Sequence, residues 1–229
     1  MARIGLFGGT FNPIHVGHLT IAEEARLSAG LDRVIFIPSG ESYFKDPREI
    51  ASREDRLQMT RLACGDAYEV SDIETRREGP SYTAVTCREF MEMYPEDELY
   101  LILGADSLME IDRWRDPGAI FDAVTVLAFT RGGEDAAAFT AEAERLRKKY
   151  GARIEIIDVF MLDVSSSDIR RFIAGGHAFR HLVTESVYGY IRQHRLFGYN
   201  RIENGEWRIE NYRMPCLKGG RDHSQSFNQ

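Results

Sequence analysis

Short apolar runs alternate with amphipathic stretches along the first 198 residues of the chain. The apolar runs are rich in β-branched residues and lie at 4–7, 34–37, 68–73, 99–103, 124–129 and 154–159. Apolar positions at helical spacing cover 17–29, 52–64, 81–94, 107–123, 135–150, 166–174 and 184–195. Short runs of this kind are typical of strands buried on both faces of a parallel sheet. The alternation predicts an α/β fold with a doubly wound parallel sheet, in which ligands bind at the carboxyl ends of the strands.

Two of the predicted helix starts carry capping signals. Ser52 is followed three residues later by Asp55, and Ser81 comes directly after Pro80. Because a serine hydroxyl can accept a bond from a free N–H of the first helical turn, Ser52 and Ser81 are predicted to be N-caps.

The character of the chain changes after Gly198. The last 30 residues contain only 8 hydrophobic ones, and Arg-Ile-Glu-Asn occurs at 201–204 and again at 208–211. One short repetition is too little for a coiled coil, and such a composition cannot bury a core. We therefore expect a catalytic domain over 1–198 and a disordered, non-catalytic tail over 199–229.

Composition and charge exclude several classes of function. The 229 residues are 43% hydrophobic and 28% charged, with a net charge of −7. An acidic chain is a poor match for a nucleic-acid surface, which needs clustered Lys and Arg. No apolar run reaches membrane-spanning length, and Cys64, Cys87 and Cys216 have no metal-binding or disulfide spacing. We expect a cytoplasmic protein with free thiols and with no nucleic-acid or membrane partner.

The stretch GGTFNPIHVGHL, residues 8–19, directly follows the first predicted strand. Gly8 and Gly9 let the backbone approach a ligand closely. The helix that begins near His15 points its free N–H groups and positive dipole end at the same place, which predicts an anion site. The stretch is neither G-x-G-x-x-G nor a P-loop, so a generic dehydrogenase or ATPase is disfavoured.

The two histidines of this stretch point to phosphate chemistry. His15 and His18 are three residues apart, so an opening helical turn places their rings on nearly the same side, with Gly17 keeping the surface between them low. Imidazolium donors can stabilise charge that develops on a phosphoryl group. A structural role for one histidine, or metal ligation, remains an alternative, although no third metal ligand is adjacent in the sequence.

A second polar motif, VSSSDIRR at 164–171, opens a late helix. Three serines at a helix start are good N-caps, which is the structural interpretation. They are also hydroxyl and N–H donors at a positive helix end, and the Arg170 guanidinium can bind phosphate oxygens in bidentate fashion.

The two motifs together resemble the nucleotidyltransferase superfamily with HxGH and ISSTxIR motifs. Through most of residues 3–198 the chain is similar to the bacterial nicotinate mononucleotide adenylyltransferases, which transfer AMP from ATP. The resemblance implies a Rossmann-like nucleotidyltransferase fold and Mg²⁺ carried on the ATP phosphates. Asn12 stands where the family usually has Asp, and Ser167 stands where it has Thr.

Site residues follow from the same resemblance. Catalysis is assigned to His15, His18 and Arg170. The residues expected to bind ATP are Gly8, Gly9, Thr10, Phe11, His15, His18, Asp106, Arg131, Ser166, Ser167 and Arg170. Asp106 ends the fourth predicted strand, where a carboxylate commonly accepts bonds from ribose hydroxyls.

The acceptor is expected to contact Lys45, Thr83, Trp114 and Arg115. Thr83 belongs to the segment Pro80–Thr83, which the family uses for the nicotinate carboxylate, although a plain N-cap is the simpler interpretation. Trp114 is flanked by charges and matches a tryptophan that stacks on the pyridine ring, while Arg115 replaces a common aromatic residue. Lys45 matches a phosphate contact but is preceded by Phe44 instead of histidine, and a surface lysine is the alternative.

The implied partners are therefore ATP and nicotinate mononucleotide, and a homo-oligomer is possible. Two alternatives stay open from the sequence. The first is adenylyl transfer to another acceptor, such as nicotinamide mononucleotide or phosphopantetheine. The second is a catalytically silent nucleotide-sensing protein.

Overall fold

A computed structural model of the chain describes residues 1–40, 50–130, 136–159 and 162–199. Six strands form one sheet in the order β3-β2-β1-β4-β5-β6, and every pair of neighbours is parallel. The strands are β1 (Arg3–Gly9), β2 (Arg33–Pro38), β3 (Glu69–Val70), β4 (Glu98–Gly104), β5 (Thr125–Thr130) and β6 (Ile154–Asp158). The predicted doubly wound α/β fold is confirmed.

Helices cover both faces of the sheet, because alternate side chains of each buried strand point to opposite sides. Phe7, Phe36 and Ile102 belong to one core cluster, and Leu6, Ile37 and Leu101 to the other. The first cluster is closed by α1 (Val16–Ser28), α2 (Arg53–Cys64), α7 (Ser166–Ala174) and α8 (Glu185–His194). The second is closed by α3 (Thr83–Met93), α4 (Ala105–Glu110), α5 (Pro117–Ala123) and α6 (Ala136–Tyr150).

The chain leaves β1 for β2 on one side of the sheet and later returns to place β4 on the other side of β1. This reversal creates a crevice at the carboxyl ends of β1 and β4, where ligands of open α/β sheets bind. The loop after β1, which leads to His15 and His18 at the start of α1, and the start of α4 after β4 both lie at this crevice.

The single helix predicted over 107–123 is wrong. The structure has α4, a 3-10 turn at Ile111–Arg113 and then α5. Asp116 adopts a left-handed conformation with φ of 52°, and Pro117 opens α5. A residue before proline is disfavoured in the α conformation, and proline has no N–H to continue a helix, so the helix must restart here.

Two smaller expectations also need correction. The run at 68–73 pairs as a strand only over Glu69–Val70, at the edge of the sheet. Ser52 caps α2 as predicted, because its side chain accepts from the N–H of Asp55. Ser81, however, does not cap α3: Tyr82 is the N-cap residue, and the Ser81 hydroxyl accepts a 3.2 Å bond from the N–H of Gly40 instead.

Within the described ranges, no helix has the length and apolar character needed to cross a membrane. Cys64 and Cys87 are free and buried, while Cys216 lies outside the described residues. Burial raises the pKa of both buried thiols to about 12.

Candidate functional site

The start of α1 brings the two predicted histidines into direct contact. His15 is the N-cap residue, and its backbone N–H lies 3.2 Å from Nδ1 of His18. The two rings stack, with centroids 3.7 Å apart and planes inclined by 30°. His15 is only 6% exposed. The imidazoles therefore form one rigid unit at the positive end of the helix, where an anion is favoured.

Buried aromatic side chains support this unit from below. The ring of Phe11 meets the His18 ring edge to face at 5.0 Å and also packs against Phe7 and Phe36. Phe11 is 2% exposed and adopts a positive φ of 46°. Its side chain thus belongs to the core, which leaves only its backbone for the predicted contact with ATP.

The three glycines of the motif serve different purposes. A Cβ on Gly8 would meet nothing within 4 Å, so this exposed strand end leaves open space for a ligand. A Cβ on Gly9 would lie 2.8 Å from the Phe11 ring. One on Gly17 would lie 2.9 Å from the Val164 side chain and 3.1 Å from the His15 ring. Gly17 is therefore buried where the two motifs pack together. The sequence had instead predicted that Gly17 keeps an open surface low between His15 and His18.

The second motif begins α7 and is bound to the first. Ser165 is the N-cap residue and accepts from the N–H of Asp168 at 3.1 Å. Ser166 Oγ donates to the carbonyl oxygen of Pro13 at 2.9 Å. Arg170 donates to the carbonyl oxygen of Asn12 at 2.9 Å and lies 3.3 Å from Ser167 Oγ.

The starts of α1 and α7 therefore lie side by side, although the residues that join them are about 150 positions apart in the sequence. The Ser167 hydroxyl, the Arg170 guanidinium and two helix N-termini converge there, which is a donor set suited to a polyphosphate. A shallow cleft has Ser167 and Arg170 in its wall beside Ile50 and Phe197, but neither His15 nor His18 lines it, so it does not by itself mark the site.

Other predicted ATP contacts fall at the same edge of the sheet. Asp106 is exposed in the first turn of α4, directly after β4, which is the neighbour of β1. Thr10 lies in the loop after β1 and is partly exposed. Arg131 and Lys45, together with Phe44, lie outside the described residues.

One of the predicted acceptor residues, Arg115, lies against the start of α3, where Thr83 is found. Thr83 is its first residue and Tyr82 its N-cap. The guanidinium carbon of Arg115 lies 4.6 Å from the centroid of the Tyr82 ring, a cation–π contact. Trp114 is half-buried and packs against the second core cluster. Arg115 therefore stands beside the segment to which the acceptor carboxylate was assigned.

Three residues that support the site were not assigned to it from the sequence. Arg56 of α2 is buried and bonds to carbonyl oxygens of loops that follow β1 and β2. The Asn12 side-chain oxygen accepts a 3.0 Å bond from the N–H of Ala51, which explains how this neutral residue braces the turn. Glu74 accepts from the Thr86 hydroxyl at 2.7 Å, and burial raises the pKa of its carboxyl. A charged residue on the apolar side of a predicted helix was the available signal for Arg56.

Metal-ligating side chains do not gather in the described part of the chain. No group of three or more His, Cys, Asp or Glu residues is placed there to hold a metal ion.

Comparison with known protein families agrees with this geometry. The family model described as cytidylyltransferase-like matches residues 6–172. The chain is 41% identical over 197 residues to a probable nicotinate-nucleotide adenylyltransferase of Desulfitobacterium hafniense, a match that covers 85% of this chain and 95% of the relative. It is 42% identical over 198 residues to the protein of the same name from Roseiflexus, covering 86% and 98%.

Solved structures show the same fold at low sequence identity. Nicotinic acid mononucleotide adenylyltransferase of Plasmodium falciparum, complexed with NaAD, superposes with a TM-score of 0.68 at 15% identity, covering 87% of this chain and 99% of the other. The same protein complexed with APC gives 0.67 at 14%. By fold, family model and identity to full-length relatives, this chain belongs to the cytidylyltransferase-like family, among the nicotinate-nucleotide adenylyltransferases.

Proposed function

We propose that this protein transfers AMP from ATP to nicotinate mononucleotide, giving deamido-NAD and pyrophosphate in NAD biosynthesis. One observation carries the proposal: Ser166 and Arg170 bond to the backbone of Pro13 and Asn12, which joins both phosphate-binding motifs into one site. The relatives at about 40% identity, which carry the name of this activity, support nicotinate mononucleotide as the acceptor.

The reaction needs no general base. A phosphate oxygen of nicotinate mononucleotide attacks the α-phosphorus of ATP and forms the new P–O bond. The bond from that phosphorus to the oxygen bridging to the β-phosphate breaks, and pyrophosphate leaves with the electron pair. Because the nucleophile is already anionic, catalysis comes from positioning and from stabilising charge.

We assign the ATP half of the site to the joined motifs. His15 and His18 hold the triphosphate and stabilise charge in the transition state, and the backbone at Gly8, Gly9, Thr10 and Phe11 lets the nucleotide lie close to the strand end. Ser167, Arg170 and the backbone N–H of Ser166, at the start of α7, hold the departing pyrophosphate. Asp106 accepts from ribose hydroxyls, and Arg131 is proposed to lie near the adenine.

The acceptor half is assigned to the start of α3 and the segment after α4. Thr83 and the free N–H groups of its helical turn bind the nicotinate carboxylate. Trp114 stacks on the pyridine ring, and Arg115 adds positive charge beside it. Lys45 is proposed to bind the acceptor phosphate.

Mg²⁺ accompanies ATP as part of the substrate. Magnesium retains several waters and is commonly bound through substrate phosphates, so it does not require a protein cage. The donors at the two helix starts are N–H groups, hydroxyls and a guanidinium, which bind phosphate oxygens. The ligands of Mg²⁺ would then be phosphate oxygens and water.

We propose that the protein acts in the cytoplasm. Cys64 and Cys87 are free, and a reducing compartment such as the cytoplasm keeps thiols free.

The non-catalytic tail was expected to begin at residue 199, but Tyr199 packs against the first core cluster. We therefore propose that residues 200–229 lie outside the catalytic unit, which is supported by the coverage of 95% of the Desulfitobacterium relative by 85% of this chain.

The decisive experiment measures pyrophosphate release from ATP and Mg²⁺ with a panel of acceptors. Nicotinate mononucleotide should give the highest kcat/KM, followed by nicotinamide mononucleotide, and phosphopantetheine should give none. Preference for phosphopantetheine would reassign the acceptor. Binding of ATP without turnover of any acceptor would instead identify a nucleotide sensor, and either result would overturn the proposal.

A further inference from the structure

Arg56 is a buried cation that lies between the loops of the site. It is 2% exposed on α2 and is the largest of the fully buried side chains among the described residues. Its guanidinium donates to the carbonyl oxygens of Thr10 at 2.9 Å, Gly40 at 2.7 Å and Ala51 at 3.2 Å. Burial lowers its pKa to about 10, so the side chain remains charged at neutral pH.

The three carbonyl groups belong to different parts of the active site. Thr10 lies in the loop after β1 that leads to His15, whereas Gly40 follows β2. Ala51 precedes α2 and bonds through its N–H to Asn12. One side chain therefore fixes the ends of two neighbouring strands relative to each other.

Gly40 connects this arrangement to the acceptor segment. Its N–H donates to Ser81 Oγ at 3.2 Å, and Ser81 lies two residues before Thr83. A Cβ on Gly40 would overlap the carbonyl oxygen of Glu74 and would lie 2.9 Å from Ser81 Oγ. The loop after β2 and the acceptor segment are thus in close contact, so a displacement of Gly40 would also move Ser81.

The hydrogen bonds of the buried guanidinium compensate for its desolvation, and they also satisfy the three carbonyl groups that accept them. An apolar side chain could not hold three carbonyl groups in one geometry, whereas the planar fork of arginine can.

We propose that Arg56 is a positioning residue that sets the spacing between the loop after β1 and the acceptor segment Pro80–Thr83. It does so through consecutive hydrogen bonds that connect Thr10, Arg56, Gly40 and Ser81. The inference rests on the proposed function, because it requires two substrates that react across this spacing. Each substrate keeps its own contacts when Arg56 is lost, but the attacking oxygen and the α-phosphorus no longer meet in line. A misplacement of about 1 Å can cost about 10²-fold in rate.

The test compares Arg56→Met and Arg56→Lys in the full chain, with Arg61→Met as the matched control. Arg61 lies on the same helix, but its side chain is 49% exposed and faces Asp72 at 3.5 Å. Steady-state kinetics are measured for both substrates. We expect Arg56→Met to lower kcat by about 10- to 100-fold with each KM changed less than about threefold. Arg56→Lys should recover part of kcat, and Arg61→Met should match the wild type.

An unchanged kcat, or a rise in the KM of one substrate alone, would overturn the inference. Should Arg56→Met not fold, Gly40→Ala tests the same connection, with Gly189→Ala as its control because a Cβ there meets nothing within 4 Å. The same fall in kcat at near-constant KM is expected for Gly40→Ala, and its absence overturns the inference. Wild-type turnover is measured alongside, so that failure of the proposed function would appear in the wild type itself.

Discussion

The imidazole rings of His15 and His18 lie face to face, with their centroids 3.7 Å apart, and the backbone N–H of His15 lies 3.2 Å from Nδ1 of His18. His18 thus has two roles that can be separated. Its ring is proposed to supply a donor for phosphate, while Nδ1 accepts a bond at the start of α1. An asparagine side chain can accept the same backbone bond but has no imidazole ring.

We expect His18→Asn to keep the fold and to lose activity. Its melting temperature should stay near that of the wild type because the capping contact is retained, whereas kcat should fall by about 10²-fold, the size of the loss when a transition-state donor is removed. Turnover is followed by pyrophosphate release and stability by thermal unfolding. Near-normal kcat in a folded His18→Asn protein would refute the catalytic role.

Gly8→Ala tests where the nucleotide lies. A Cβ on Gly8 meets nothing within 4 Å, so the substitution should leave the melting temperature unchanged. If ATP lies against this strand end, the new methyl group displaces it, and kcat/KM for ATP should fall about tenfold or more. Equal kinetics for Gly8→Ala and the wild type would place the nucleotide elsewhere.

Arg115→Gln tests discrimination between the acid and the amide acceptor. The guanidinium lies over the Tyr82 ring beside Thr83 and is solvent-exposed. Exposed charge pairs contribute about 0.2–1 kcal/mol, so the preference for nicotinate over nicotinamide mononucleotide in kcat/KM should fall by a factor of roughly 1.4 to 5. Arg113→Gln is the control, since that side chain is 82% exposed. An unchanged ratio in Arg115→Gln, or an equal loss in Arg113→Gln, would exclude a specific role.

Glu74→Gln tests the buried carboxyl beneath the acceptor segment. Burial raises its pKa above the ordinary value of 4.5, so the folded state holds the proton more tightly than the unfolded state. This contribution to stability is fully present below about pH 4.5 and is lost as the pH rises through the raised pKa.

The measurement for Glu74 is urea unfolding over a series of pH values. The free energy of unfolding of the wild type, relative to Glu74→Gln, should decrease as the pH rises through that range. Glu92→Gln, at an exposed position of α3, is the matched control substitution. A flat difference between the wild type and Glu74→Gln would contradict the assignment.

Truncation tests the boundary of the catalytic unit. Tyr199 packs against the first core cluster, with its ring centroid 6.3 Å from that of Phe179. A chain ending at Tyr199 should keep its turnover and melting temperature. Removing Tyr199 as well should lower the melting temperature by about 2–4 °C, the effect of losing roughly 1 kcal/mol in a domain of this size. A large loss of activity in the chain ending at Tyr199 would show that the tail takes part in catalysis.

The local patterns of the sequence determined much of this protein. Six strands and the covering helices were predicted because burial in a parallel sheet leaves apolar runs that are visible in short windows. The pairing of His15 with His18 and the capping of α2 by Ser52 were also predictable, since both depend on residues three apart in the sequence. The resemblance to a known family supplied the acceptor residues, which spacing alone did not.

Only the tertiary structure decided how the parts of the site are joined. The hydrogen bond from Arg170 to Asn12 spans 158 positions and that from Arg56 to Thr10 spans 46. Neither contact could therefore be predicted from a short window of the sequence. Ser81 binds Gly40 instead of capping its own helix, and Gly17 is required by the approach of Val164. These contacts depend on which strands are neighbours in the sheet and on how closely their loops pack, and both are properties of the folded chain.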